Sequence, residues 1–81
     1  MTKQEVIVQV ERIFHEVLNK TDIILTETTT AKDVEGWDSL TNMGIIVKVE
    51  ETFGCRFKLR EIIKMKNIGD LCDAILNQKN S

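Results

Sequence analysis

Residues 39–54 read SLTNMGIIVKVEETFG, and this stretch decides the fold. With side chains placed at about 100° per residue, four apolar residues fall on one arc, as in the buried face of an amphipathic helix. They are Ile45, Ile46, Val49 and Phe53. Gly54 follows and suits the left-handed conformation at a helix C-terminus. The stretch therefore predicts a helix from Ser39 to Phe53 that packs into a core.

The same helix carries apolar residues outside that arc. Leu40 and Val47 fall to one side of it, and Met43 lies between the two faces, where core packing is its alternative role. Because the core face does not need Leu40 and Val47, the helix is expected to leave some apolar surface for contact with another molecule.

Helical spacing also marks both ends of the chain. From Thr2 to Leu18 apolar residues recur three and four apart, and Thr2 with Glu5 forms a capping-box pattern. His15 falls beside acidic residues away from the apolar stripe, so we expect it to be solvated. Near the other end, Asn67 suits the N-cap of a last helix. Its expected core residues are Ile68, Leu71, Cys72 and Ile75.

Two connections join these helices. Residues 19–37 form a long loop rich in β-branched threonine, with a short helical turn expected near residues 31–34. Residues 55–59 alternate apolar and polar side chains, so Cys55, Phe57 and Leu59 are expected to point inward before a short helix at residues 60–64. The predicted fold class is all-α: a small three- to four-helix bundle with a long loop between helices 1 and 2.

Length, charge and cysteine content exclude several classes of function. At 81 residues the chain is expected to be one domain, 1–81, too small for a deep enzyme cleft. The net charge of -2, without a long basic stripe, argues against nucleic-acid binding. The longest apolar run is far below the ~20 residues of a bilayer span, and no signal-peptide pattern opens the chain. Cys55 and Cys72 lack metal-site spacing, so no metal is expected. Their thiols are expected to be reduced, in a cytoplasmic protein. The protein is expected to be a monomer.

Ser39 is the candidate functional residue because it stands where the long loop enters the helix. An N-terminal cap is the simplest role for a serine there. Attachment of a phosphodiester is another, since free N–H groups and the helix dipole favour negative charge at this end. Nucleophilic catalysis has little support, because the sequence offers Ser39 no evident base and third partner.

Residues 33–54, DVEGWDSLTNMGIIVKVEETFG, resemble the signature of the acyl carrier proteins: Asp-Ser-Leu opening the second helix, an apolar-periodic run, then Glu-Glu-x-Phe-Gly. The resemblance extends over nearly the whole chain. It implies that a phosphopantetheinyl transferase attaches 4′-phosphopantetheine to Ser39. It also implies that the protein is not an enzyme but a carrier of acyl or aminoacyl thioesters. Such a carrier binds acyl-loading, condensing or acyl-transfer enzymes.

The resemblance also assigns roles to neighbouring residues. Asp38 would assist recognition by the transferase, with a second capping carboxylate as its alternative role. The residues that match positions of partner contact are Leu40, Met43, Val47 and Glu51.

Three departures from the carriers of primary fatty-acid synthesis favour a specialised biosynthetic pathway. Gly44 replaces a commonly acidic residue, Lys48 adds a positive charge to the second helix, and Trp37 precedes the Asp-Ser-Leu triplet. Attraction to basic partner surfaces should be weaker as a result. A peptidyl carrier of nonribosomal synthesis and a cofactor-free helical interaction module are the alternatives.

Overall fold

Four α-helices occur in the predicted order in a computed structural model of the protein, which describes residues 1–79. They are α1 (Lys3–Leu18), α2 (Ser39–Phe53), α3 (Leu59–Lys64) and α4 (Ile68–Lys79), with a 3-10 turn at Ala31–Asp33. No strand occurs among the described residues, and the all-α prediction is confirmed. None of the helices within residues 1–79 is both long enough and apolar enough to cross a bilayer.

The helix ends follow from local chemistry. Thr2 caps α1: its hydroxyl accepts from the Glu5 backbone N–H at 3.2 Å, and its own N–H donates to the Glu5 carboxylate at 2.8 Å. Gly54 ends α2 with φ at 64°, in the left-handed region that favours glycine. Asn67 caps α4 by accepting from the Asp70 N–H at 2.8 Å. All three ends were predicted from the sequence.

The core lies where α1 packs against α2 and α4. All four predicted core residues of α2 and all four of α4 are buried. From α1 the core receives Val6, Ile7, Val10, Ile13 and Phe14. Burial contributes about 1.5 to 3 kcal/mol for each large apolar side chain, so these faces provide most of the stability of the bundle.

The long loop folds back on α1 and is held there by side-chain hydrogen bonds. A carboxylate oxygen of Glu11 accepts from the Leu25 N–H at 2.9 Å, and Nε2 of His15 lies 2.7 Å from the carbonyl oxygen of Ile23. The prediction of a solvated His15 is therefore wrong. The helical pattern placed His15 on a polar face, but the loop covers that face and offers a carbonyl to the ring.

The same loop is joined to the start of α4. The Ile68 N–H donates to the Thr29 carbonyl at 2.9 Å, and the Gly69 N–H donates to the Glu27 carbonyl at 2.8 Å. A Cβ atom at position 69 would lie 2.9 Å from that Glu27 oxygen, so a larger residue would push the two backbones apart. These bonds satisfy two N–H groups that a helix leaves open at its N-terminus.

The connection between α2 and α3 is partly as predicted. Cys55 is buried, and Phe57 is half-buried with its N–H donating to a Glu50 carboxylate oxygen at 2.9 Å. Leu59 is instead 72% exposed, so the inward orientation predicted for it is wrong. The reason is that α3 begins at Leu59, one residue earlier than expected, and the alternation of an extended chain ends there.

Both cysteines are buried and free. Burial raises the pKa of the Cys72 thiol to about 11 and also raises the pKa of the Cys55 thiol. Both thiols therefore stay protonated at neutral pH and pack as small apolar side chains.

Candidate functional site

Asp38, and not Ser39, is the N-cap of α2. One oxygen of its carboxylate, Oδ1, accepts from the Leu40 N–H at 2.9 Å and from the Thr41 N–H at 3.0 Å. The Asp38 N–H donates in return to the Thr41 hydroxyl at 2.9 Å, which completes a capping box. Ser39 is thus the first residue inside the helix, and the capping role that the sequence allowed for it belongs to its neighbour.

The turn before the helix is fixed by the same group of residues. The Thr41 hydroxyl donates to the Gly36 carbonyl at 2.7 Å, and Gly36 has φ at 92°, where a side chain would be strained. Hydrogen bonds from the Thr41 and Leu40 backbone N–H groups lower the pKa of the Asp38 carboxyl from its usual value. Asp38 therefore carries a full negative charge at neutral pH directly before Ser39.

The capping arrangement changes the expected electrostatics of the site. Free N–H groups were the reason to expect favourable binding of a phosphodiester at this end of α2. Those of Leu40 and Thr41 are already bonded to Asp38, and the Asn42 N–H donates to the Asp38 carbonyl at 2.8 Å. The Ser39 N–H makes no hydrogen bond within residues 1–79, and any further positive charge for an anionic group has to come from a side chain.

The Ser39 hydroxyl is exposed and makes no hydrogen bond to any of residues 1–79. Its oxygen can therefore attack a group brought by another molecule without breaking an internal hydrogen bond. Asp38 helps in a second way, because its other carboxylate oxygen, Oδ2, accepts no hydrogen bond within residues 1–79. The capping bonds fix the position of this free oxygen beside Ser39.

A shallow groove of about 220 Å³ opens beside Ser39. Trp37 lines it, with the indole N–H donating to the Asn42 side-chain oxygen at 2.9 Å and the ring packed edge-on against Phe14, at 4.8 Å between ring centres. Met65 and Lys66, which follow α3, line the groove as well. The groove therefore combines an apolar wall with one cation, Lys66, and one carboxylate, Asp38, next to an exposed hydroxyl. That combination fits a flexible chain with an anionic end.

The sequence did not identify Lys66, Met65 or Asn42 as part of the site. Asn42 lies one helical turn after Asp38, so its proximity was readable from helical spacing. The two residues after α3 are distant in sequence from Ser39, and no local pattern connects them with it.

The apolar residues predicted to be in contact with partners lie on the outside of α2. Leu40, Met43 and Val47 are 78%, 67% and 53% exposed, and Glu51 is exposed as well. The core-packing alternative for Met43 is therefore wrong. We call Leu40, Met43, Val47 and Glu51 the outer strip of α2. Among residues 1–79, no group of three or more His, Cys, Asp or Glu side chains could hold a metal ion.

Comparison with known proteins gives consistent similarities. The model of the phosphopantetheine attachment site family matches residues 8–75. An acyl carrier protein of Acidothermus cellulolyticus is 31% identical over 78 residues, which cover 95% of this chain and 92% of that protein.

Two solved structures share the fold. The holo acyl carrier protein of Geobacter metallireducens superposes with a TM-score of 0.82 at 38% identity, over 90% of this chain and 87% of that one. The acyl carrier protein of Thermotoga maritima superposes with a TM-score of 0.85 at 24% identity, over 96% and 91% of the two chains, and supports the fold alone.

Proposed function

The chain belongs to the acyl carrier protein family, whose members carry 4′-phosphopantetheine covalently, and we propose that Ser39 is the residue that holds this group. The observation that carries the proposal is the exposed Ser39 hydroxyl, without an internal hydrogen bond, at the mouth of an apolar groove. The bound group supplies a terminal thiol that holds acyl groups as thioesters. Tethering raises the concentration of the acyl group at any enzyme that binds the carrier.

In the loading reaction, the Ser39 oxygen forms a bond to the phosphorus next to pantetheine in coenzyme A. The pyrophosphate bond breaks, 3′,5′-ADP leaves, and the serine proton passes to a base of the phosphopantetheinyl transferase. This chain supplies the oxygen and its position, which the Asp38 capping box fixes. Lys66 lines the groove beside Ser39, so it can balance the negative charge of the new phosphodiester.

Asp38 has a second proposed role in recognition by the transferase. Its Oδ1 is bonded to the helix, whereas Oδ2 accepts no hydrogen bond within residues 1–79, and the exposed Asp38 directly precedes Ser39. An ionised carboxylate in this position suits contact with a cationic side chain or with a metal ion brought by the transferase.

The proposed attachment is tested by incubating the purified protein with coenzyme A and a promiscuous phosphopantetheinyl transferase, followed by intact-mass measurement. We expect the mass of one phosphopantetheinyl group to be added to the wild-type protein and none to Ser39→Ala. Thr52→Ala is the matched control, because it removes an exposed hydroxyl at the other end of α2 and should load fully. An unchanged wild-type mass would favour the cofactor-free helical module. Loading of Ser39→Ala would place the attachment site elsewhere.

We propose further that the outer strip of α2 contacts the enzymes that load, extend or accept the acyl group. An apolar strip with a charged residue at its end suits a small, transient interface. Val47→Glu places a charge in the middle of the strip at a residue that is already 53% exposed. We expect the folded stability to change by less than about 0.5 kcal/mol, and the kcat/KM of a partner enzyme for the holo protein to fall about tenfold. Unaltered kinetics in a folded variant would contradict this role.

The proposed pathway is a specialised one. Trp37 and the weakly charged second helix support this assignment, because both differ from the strongly acidic carriers of primary fatty-acid synthesis. A peptidyl carrier would use the same residues with aminoacyl cargo. Mass measurement of the thioester formed in the host decides between acyl and aminoacyl cargo.

A further inference from the structure

Residues 56–66, RFKLREIIKMK, concentrate positive charge in a protein that is acidic as a whole. The segment contains one acidic residue, Glu61, and five of the eleven basic residues. The basic residues are Arg56, Lys58, Arg60, Lys64 and Lys66, all of them exposed. The segment therefore has a charge of +4, and since the whole chain has -2, the remaining residues together have -6.

These five cations are not used by the fold. None of them forms an ion pair within residues 1–79, whereas Lys3, Lys20 and Lys48 each pair with a carboxylate. The one acidic residue of the segment is already engaged, because a Glu61 carboxylate oxygen accepts from the Lys58 N–H at 2.9 Å as part of the α3 cap. The five cations are thus left without an ion pair among residues 1–79.

The segment meets α2 near both of its own ends. At one end, Arg56 lines a shallow groove together with Val47 and Glu51. At the other end, Lys66 lines the groove beside Ser39. A basic side chain therefore stands at each end of the strip, and α3 lies between the two grooves in the chain.

The α3 helix, which lies between the two grooves in the chain, exposes apolar side chains. Leu59 and Ile63 are 72% and 67% exposed, and they lie one turn apart. Arg60 directly follows Leu59, and Lys64 directly follows Ile63; both basic residues are also exposed. The helix thus presents apolar and basic side chains together.

Carboxylates oppose part of this charge, since Asp70 and Asp73 line a groove together with Lys64. On α2, Asp38 is engaged in the helix cap through Oδ1, and Glu50 is half-buried and bonded to the Phe57 N–H. Glu51 is the exposed carboxylate of the outer strip. With Asp38, Lys48, Glu50 and Glu51 included, residues 38–66 still carry +2, so this surface attracts negative charge, although the protein as a whole repels it.

We propose that the outer strip of α2 and residues 56–66 form one docking surface for an acyl-handling enzyme whose contact surface is apolar with an acidic rim. The proposal rests on the proposed function, because the partner must reach the group on Ser39. Complementary charge around an apolar contact accelerates association and selects the partner.

A protein fits this surface better than the two other polyanionic partners. A nucleic acid would meet the -6 charge of the rest of the chain, and five cations interleaved with apolar residues do not track a phosphate backbone. An anionic membrane is usually bound by a longer amphipathic helix, and α3 has six residues.

The test uses the ¹⁵N-labelled holo protein and two designed helical peptides with the same leucine face. One peptide carries glutamate on its polar face, and the other carries lysine. We expect the glutamate peptide to shift amide signals of residues 40–51 and 56–66, and to bind more tightly than the lysine peptide. Arg60→Glu should weaken binding of the glutamate peptide about fivefold or more, because it reverses one charge of the docking surface.

Arg12→Glu is the matched control, since it makes the same substitution at an exposed arginine of α1. It should change binding of the glutamate peptide less than about twofold. Equal or tighter binding of the lysine peptide would overturn the proposal, and so would an equal effect of both substitutions or shifts confined to other residues. Binding to phosphatidylserine vesicles that is lost in Arg60→Glu, without binding of the glutamate peptide, would assign the surface to a membrane.

Intact mass keeps the two proposals separate. A protein that accepts phosphopantetheine on Ser39 but prefers the lysine peptide would refute the acidic partner and leave the attachment site standing. A protein that never gains the group but prefers the glutamate peptide would refute the attachment site alone.

Discussion

The two faces of α2 are similar in composition and opposite in use. Ile45 and Val49 on the inner face are fully buried, while Leu40 and Met43 on the outer strip are 78% and 67% exposed. Both faces carry large apolar side chains at helical spacing. The difference is that α1 covers the inner face, whereas no described element covers the outer strip. An apolar residue on a helix therefore does not indicate a core position unless another element packs on it.

The two faces also differ in what their loss should change. An inner-face side chain is removed from water when the protein folds, which contributes about 1.5 to 3 kcal/mol to stability. An outer-strip side chain stays largely in water in both the folded and unfolded states. Its free energy becomes available when a partner covers it, so the outer strip can serve binding without a cost to folding.

The largest effect is expected from a pair of truncations, one on each face. Ile45→Ala removes fully buried apolar atoms and should lower the free energy of unfolding by about 2 to 5 kcal/mol. Leu40→Ala should change it by less than about 0.5 kcal/mol, because the side chain is 78% exposed. Urea unfolding followed by circular dichroism measures both. Equal losses would mean that the outer strip is covered in solution.

A smaller effect of opposite sign is expected at Gly44, between the two faces. Alanine is favoured over glycine within a helix by up to about 1 kcal/mol, and a Cβ atom at position 44 would lie 3.6 Å from a Val17 methyl carbon, an ordinary contact distance. Gly44→Ala should therefore stabilise the protein. Gly69→Ala is the matched control and should destabilise it, because its Cβ atom would lie 2.9 Å from the Glu27 carbonyl oxygen. Thermal unfolding of both variants should shift in opposite directions, and a loss of stability in Gly44→Ala would show that α1 and α2 cannot accommodate the methyl group.

The smallest effect on stability is expected at Asp38, the N-cap of α2. Hydrogen bonds from Thr41 and Leu40 hold the Asp38 pKa below its usual value, so the charged carboxylate stabilises the folded state. This contribution is complete above the unfolded-state pKa of about 3.9, and it is lost as the pH falls through the lower folded-state value. Asp38→Asn keeps a capping side chain without the charge. The wild-type protein should be more stable than Asp38→Asn at pH 7, and the difference should vanish in acid.

Chemical unfolding of Asp38→Asn and wild-type protein across this pH range measures the difference. A gap that persists unchanged below the folded-state pKa of Asp38 would contradict the contribution of its charge.

Much of α2 was predictable because the signals are local. The helical spacing of the apolar residues and the terminal glycine both act within a few residues, and the helix spans Ser39–Phe53 as expected, although its cap is Asp38 and not Ser39. His15 and Leu59 were assigned wrongly for a common reason. Their local patterns were read correctly as a polar helix face and an extended segment, but a loop covers the first and a helix begins at the second.

The basic segment, residues 56–66, also shows what local sequence patterns cannot predict. Its five cations are visible in the sequence, but their position beside the outer strip depends on how α3 packs. Lys66 and Ser39 line the same groove although 26 residues lie between them in the chain. No periodic pattern in the sequence indicates that two residues so far apart in the chain come together.

The sequence by itself determined the helices, the caps of α1 and α4, the glycine that ends α2 and the family, because hydrogen-bonding and apolar periodicity are properties of neighbouring residues. Only the tertiary structure decided which apolar face of α2 is buried, which backbone Gly69 approaches and which cation stands beside Ser39. These outcomes depend on contacts between residues far apart in the chain, where packing and hydrogen bonds between elements select among surfaces that look equivalent locally.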